Sequence, residues 1–437
     1  MRTSTAVVAF VAAAALGAAW PWFATHQTQS TGLASAPVST DYLHRDRFIT
    51  FYEDQVTRDP TDQITRRVLA SEYLQRFRET GDLNDVTRAH AMAVRSLALQ
   101  PQGNVQALGV IAASDIAFHQ FPAALAAERA SLAGYPSDES ARAQIASILM
   151  ELGRYREAAG ALASPAGPDP NPTWMSIRAR YNELTGGLSE ARVEMAQATD
   201  IVDRMMSIPA YTRSWYHVRD AQLAFEAGDA QTANSQFVEA LRIFPDNAMA
   251  LLFQAKVYRA HHDWQRSLES ATRSAELYPL PQALGYQADA QRALGDENGA
   301  RKTDALIRAE QRLFNVQGIN DRLLAMYYAE HREHLGDALA EARADVAKRG
   351  NEIYADDTLA WVLAATGRWR AARAFAERAT RYETEDPELQ YHAGIIAWHT
   401  GHRDEAQRRL RAALAADPQF HPFYADDARR VLASFER

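Results

Sequence analysis

The chain contains no cysteine. That excludes disulfides, thiolate metal sites, a cysteine nucleophile and a lipid anchor on cysteine. Lysine is nearly missing too: Lys256, Lys302 and Lys348 are the only three, and arginine supplies the rest of the basic charge. Together with abundant alanine, this usage points to a GC-rich bacterial genome. There is no long basic run and the net charge is −8, which speaks against a nucleic-acid partner. The motifs G-x-S-x-G, H-E-x-x-H, G-x-x-x-x-G-K-[ST] and G-x-G-x-x-G are all absent. Carboxylates are plentiful, but at positions that a solvated helix face would use. The expectation is therefore a protein that is not an enzyme and needs no cofactor or metal. What the chain does have is bulk: 437 residues, of which 47% are hydrophobic, enough to build a large core and too many for wholesale disorder.

The first 30 residues read MRTSTAVVAFVAAAALGAAWPWFATHQTQS. Arg2 gives a short positive start and Thr5 to Ala19 an uncharged apolar run, with Gly17 and Ala19 small enough for cleavage. Taken to Ala24, the run is 20 residues long and ends beside Trp20 and Trp22, which equally suits an uncleaved single span. Residues 1–24 are read as a signal peptide or a membrane anchor, and 25–41, rich in Ser, Thr and Gln, as a flexible tether. Either way the rest of the chain is expected outside the cytoplasm. It would be periplasmic or otherwise extracytoplasmic, and tethered to the inner membrane if the anchor is kept.

From about residue 61 onward the apolar residues recur at helical spacing, with no alternating strand pattern. The segments come in pairs joined by tight turns. "ATGRWRAARAFAERATRYET" and "HTGHRDEAQRRLRAALAADP" are related at a period of 34: Gly401 follows Gly367, Ala406 follows Ala372 and Ala413 follows Ala379. With the turn glycine set at position 15, turns fall at His119, Gly153, Gly186, Gly228, His262, Gly295, Glu333, Gly367 and Gly401, with a first one near Asn84. Alanine or glycine recurs at positions 8, 20 and 27, as in Gly394, Ala406 and Ala413 or Ala221, Ala233 and Ala240. Proline closes units at Pro245, Pro279 and Pro418. The unit turning at Glu333 lacks both glycine and closing proline.

This pattern resembles the tetratricopeptide repeat, a 34-residue helix–turn–helix unit, over roughly residues 61–420. The resemblance implies an all-α, right-handed superhelical solenoid. Residues 42–437 would then hold about ten such repeats, closed by a C-terminal capping helix at Asp426 to Arg437. An N-terminal helix within 42–60 is expected, as is an extended second helix stopped by Pro209. The proline-rich stretch Ser164 to Trp174 reads as a surface loop or a hinge.

Seven of the 13 histidines sit in the turns, including the pairs His331/His334 and His399/His402. A cation at a helix C-terminus is mildly favourable, and each pair would give zinc only two of the three or four ligands it takes. They are read as turn histidines, with a metal-dependent activity as an alternative.

In the tetratricopeptide family, positions 2, 5, 9 and 12 of each first helix face a binding groove. That resemblance makes Arg180, Trp215, Gln222, Lys256, Arg259, Asp289, Arg292, Tyr327, Trp361 and Tyr391 the candidate groove residues. The early groove, with Ala113 and Ser147 at position 9, reads as small and plain. The implied function is a non-catalytic scaffold or assembly factor that binds a protein or peptide. A cell-envelope glycan stacking on the aromatic end is the alternative. On this reading Trp361→Ala with Lys256→Ala leaves the far-UV CD unchanged and abolishes partner capture.

Overall fold

The computed structural model describes residues 36–163, 171–316 and 322–436, and every regular element among them is helical. A 3-10 turn at Asp41–His44 leads into α1 (Arg45–Arg58), α2 (Gln63–Thr80), α3 (Leu83–Leu99), α4 (Val105–Ala117), α5 (Phe121–Gly134), α6 (Glu139–Glu151) and α7 (Tyr155–Leu162). There follow α8 (Pro172–Leu184), α9 (Leu188–Arg204), α10 (Ala210–Glu226), α11 (Ala230–Ile243), α12 (Ala248–Ala260), α13 (Trp264–Leu277), α14 (Pro281–Ala293) and α15 (Glu297–Val316). The last seven are α16 (Arg322–His331), α17 (Leu335–Arg349), α18 (Ile353–Ala365), α19 (Trp369–Ala379), α20 (Pro387–His399), α21 (Arg403–Ala416) and α22 (Tyr424–Ser434). Consecutive helices pack as hairpins (α2 on α3, α4 on α5, α12 on α13, α18 on α19, α20 on α21), and neighbouring hairpins meet through α3 and α4, α5 and α6, α13 and α14, α17 and α18, and α19 and α20. The fold is an all-α solenoid of tetratricopeptide-like hairpins.

Local sequence chemistry explains the hairpins. Asp62, Asp138, Asp263 and Asp386 each begin a helix by accepting backbone N–H groups of its first turn, a cap that stabilises by about 1 kcal/mol. The turns need a left-handed residue, and Gly153, Gly186, Gly228, Gly295, Gly367 and Gly401 all take positive φ, as do His119 and His262. Two turns differ from expectation. The first is made by Gly81, at φ 74°, while Asn84 lies inside α3. At the turn without glycine, the positive φ falls on Arg332 and His334, on either side of Glu333. The repeated alanines are fully buried: Ala221, Ala233, Ala240, Ala255, Ala271, Ala372, Ala379, Ala406 and Ala413 all have 0% exposure. At Gly394 a Cβ would lie 2.9 Å from Leu410 Cγ, so only glycine lets α20 and α21 approach this closely.

The helix before Pro209 stops earlier than the sequence suggests, at Arg204, and Ser207 then takes φ 60°. The C-terminal helix begins at Tyr424 and packs Ala425, Ala428 and Val431 on Tyr391, Ile395, Leu410 and Ala413. Residues 1–35 and 164–170, which hold the signal or anchor and most of the proline-rich stretch, lie outside the described residues. Among the described residues no helix is long and apolar enough to cross a membrane.

The chain divides into two compact units. Unit 1 comprises residues up to Ala179 with Glu194–His217 and Arg242–Asn247; unit 2 comprises Arg180–Val193, Val218–Leu241 and Ala248–Arg437.

Candidate functional site

In unit 2 most of the sequence-predicted groove residues are turned on one another. Arg259, 2% exposed, donates from Nε to Asp289 at 2.8 Å and from Nη2 to Glu330, and its Nη1 lies 3.0 Å from His421 Nε2. His421 is also 2.9 Å from Glu330, and His331 Nε2 is 2.7 Å from Asp289. Burial alone would raise the Glu330 carboxyl, but the Arg259 and His421 charges outweigh it and hold the group well below its ordinary range. Burial likewise opposes charge on His331, and the Asp289 hydrogen bond and charge reverse that, bringing it up to about 9. Lys256 Nζ pairs with Glu388 at 2.8 Å. Arg292 donates to Asp304 at 2.5 Å, and Tyr327 donates to the same carboxylate at 3.1 Å with its ring against Gly285.

The aromatic candidates are spent in the same way. Trp361 donates its indole N–H to Tyr424 Oη at 3.0 Å and stacks on His392 at 4.3 Å between ring centroids. Tyr391 stacks on Tyr424 at 4.4 Å and donates to Asp427 at 2.8 Å. Arg180 is paired with Glu183 and lies over the Tyr354 ring, and Gln222 accepts from Arg219. Trp215, in unit 1, is buried edge-on to Tyr216. The turn histidines are partnered likewise, with His399 stacked on Trp369 and His402 beside the Thr400 hydroxyl. Among the described residues no three His, Asp or Glu side chains come together as a metal ion would need.

Unit 1 holds a different arrangement. The side chains of α2, α4 and α6, closed at one side by α5, surround a pocket of about 120 Å³. Its apolar wall is Val68, Leu74, Val105, Val110, Ala113 and Ala141. Its floor is polar and unspent. Arg78 is 6% exposed; Nη1 reaches Gln75 Oε1 at 3.3 Å, while Nε and Nη2 have no partner. Burial without a dedicated carboxylate pushes its guanidinium down to about 10, so it is still charged at neutral pH. Gln144, 3% exposed, has neither its amide nitrogen nor its oxygen satisfied. Glu128, 6% exposed, faces no cation; burial, and then the charge of Asp138, push its carboxyl up to about 8. Arg45 also lines the pocket, but Glu79, Glu72 and Asp41 already hold its guanidinium.

Gly109 sits in the middle of α4 and lines the same pocket, and a Cβ built on it would meet nothing within 4 Å. A helix-interior glycine is about 0.5–1 kcal/mol worse than alanine, so open space beside it marks a place where something can lie against the backbone. Leaving a buried polar group unpaired costs about 1–3 kcal/mol, and this pocket collects several.

The sequence reading passed over this pocket for a definable reason. Counting back from Gly81 as position 15 puts Val68, Ser71, Gln75 and Arg78 at positions 2, 5, 9 and 12, and counting back from His119 does the same for Gln106, Gly109 and Ala113 at 2, 5 and 9. All seven line the pocket. Placing the first turn at Asn84 shifts that register by three, which takes Val68 and Gln75 off the facing set and leaves Ser71 and Arg78 on it at positions 2 and 9, but the groove reading began at Ala113 and did not reach this first unit. Glu128 and Gln144 carry no such signal.

No family model matches the chain, and no curated protein matches it. Among solved structures it is similar to one titled "Crystal Structure of the Yeast Tom70", at 12% identity over 91% of this chain and 94% of that one, with a TM-score of 0.36. At that score the likeness goes no further than two chains built of helices.

Proposed function

We propose that the protein is a non-catalytic binding scaffold, and that the face shared by α2, α4 and α6 receives a segment of another protein. One observation carries this reading. Arg78 and Gln144 are buried around an open pocket with hydrogen-bonding capacity unspent, and Glu128 lines it with no cation beside it, whereas Lys256, Arg259 and Arg292 of unit 2 are ion-paired. Partners satisfy such groups and so gain specificity from them. No aromatic ring lines the pocket, so the stacking that a glycan reading relies on has no support there.

A photo-crosslinking side chain introduced at Gln106, on the pocket wall, tests the proposal against the same group at Val238, 54% exposed on unit 2. The expected result is a discrete protein adduct at Gln106 alone, lost when Gly109→Leu fills the pocket. No adduct, or equal adducts at both sites, would refute it. We also propose that residues 1–24 export the chain, on the strength of Arg2 and the apolar run after it. A reporter enzyme active only outside the cytoplasm, fused after residue 41, tests export. The N-terminal peptide of the mature protein separates signal from anchor.

A further inference from the structure

We infer that the floor of the unit 1 pocket is a site for a short-stemmed carboxylate, an anionic head on a small apolar stem, with its head on Arg78. The inference rests on the pocket being the binding site, but not on the ligand being part of a protein.

Charge comes first. The ionisable groups lining the pocket are Arg45, Arg67, Glu72, Arg78, Glu128 and Asp138. Arg45 and Glu72 are paired, and Asp138 caps α6 through the Ala141 N–H. Glu128, with no cation facing it, holds its proton at neutral pH. Arg67 and Arg78 remain, each with an unpartnered Nε, and Arg78 has no carboxylate bound to it. A deeply buried cation such as Arg78 calls for an anion.

Hydrogen bonding comes next. Arg78 offers Nε and Nη2 side by side, a fork that suits a two-oxygen head group. The Gln144 amide, which lines the same pocket, can donate to a ligand oxygen. Donors dominate, so the ligand's polar end is an acceptor. Size sets the rest. A dry cavity of about 150 Å³ takes benzene, with six heavy atoms, so a pocket of about 120 Å³ takes about five or six heavy atoms. A carboxylate then leaves room for two or three carbons, which would lie on Val105, Val110 and the bare backbone at Gly109.

That chemistry has two sources: a free short-chain acid, or the glutamate side chain of a partner. Titration calorimetry on the full chain with butyrate, butyramide and N-acetylglutamate amide separates them. Butyrate binding is expected at pH 6.5, and neutral butyramide should bind at least about tenfold more weakly, since one charge-assisted contact is worth that factor. Arg78→Met should lower butyrate affinity by a similar factor, and a shift to pH 9, where Glu128 ionises in the same pocket, should lower it too. Gly109→Leu, which alters no polar group, should abolish binding. Binding of N-acetylglutamate amide alone would keep the site and assign the carboxylate to a partner protein. Binding of none of the three, or binding that survives Gly109→Leu, would overturn the inference. If a protein adduct at Gln106 still formed in that case, the scaffold reading would stand without it.

Discussion

The Thr384 hydroxyl donates to the Leu184 carbonyl at 2.7 Å, across 200 residues of sequence. Next to it the Leu188 N–H donates to Glu385 at 3.1 Å, and a Cβ on Gly186 would lie 2.9 and 3.0 Å from the carbonyl oxygens of Tyr382 and Glu383. The turn after α8 thus carries the loop before α20, and unit 2 is held by contacts between repeats far apart in the chain.

Gly186 and Gly367 separate this contact from ordinary turn strain. Both have strongly positive φ, 80° and 77°, but nothing lies within 4 Å of a Cβ at Gly367. Alanine at either position carries the left-handed cost of about 1–2 kcal/mol. Gly186→Ala must also push back two backbone carbonyls, and crowding of that kind adds about 1–3 kcal/mol. Urea unfolding should therefore show the larger loss for Gly186→Ala, with faster amide exchange at residues 382–386. Equal losses would mean that the loop yields freely.

Arg259 and Arg78 are both buried arginines, and they should respond oppositely to the same substitution. Arg259→Met leaves Asp289 and Glu330 buried without their shared cation, a change that costs about 3–5 kcal/mol. Arg78→Met removes a cation whose Nε and Nη2 have no partner, and methionine keeps much of the apolar stem. Its unfolding midpoint in urea should stay level or rise. A fall comparable to that of Arg259→Met would mean that Arg78 is structurally paired after all.

Trp361 must be treated as part of the core before it is treated as a contact residue. It packs between two hydrophobic clusters of unit 2 and donates to Tyr424. Truncating such a tryptophan costs about 3–5 kcal/mol. Trp361→Ala should therefore lower the thermal midpoint followed by CD, even where the spectrum at 20 °C is unchanged, and a lost interaction in that variant reports on folding. An unaltered midpoint would restore Trp361 as a surface for partners.

Helices, hairpins and most turns were legible because they are local. A glycine at period 34 with alanine five residues later and again after seven more specifies a tight turn and two close-packed helices. The failures were local as well. Where the turn has no glycine, Arg332 and His334 share the left-handed conformation, and no single residue flags it. At the first turn Gly81 was passed over for Asn84, and the groove reading began one unit later, so Arg78 went unnamed. Partner choice was not legible at all. The repeat gives Arg259, Glu330 and His421 a face, but their meeting depends on how several hairpins accumulate rotation, which no one repeat encodes.

The Glu128 carboxyl gives a pH signature with a definite sign. Its folded value of about 8 lies above its ordinary 4.5, so the folded state holds a proton that the unfolded chain gives up across that window. Where the folded state binds more protons, stability falls as pH rises. This contribution is fully present below about pH 4.5 and is lost by about pH 8, a change of about 3–5 kcal/mol at 1.36 kcal/mol per unit. Glutamine mimics the protonated acid in shape and cannot ionise. Glu128→Gln should match the wild type in urea at pH 5 and exceed it by several kcal/mol at pH 8. A constant difference between the two proteins at both pH values would mean that Glu128 ionises alike in the folded and unfolded chain, and that some cation reaches it in solution.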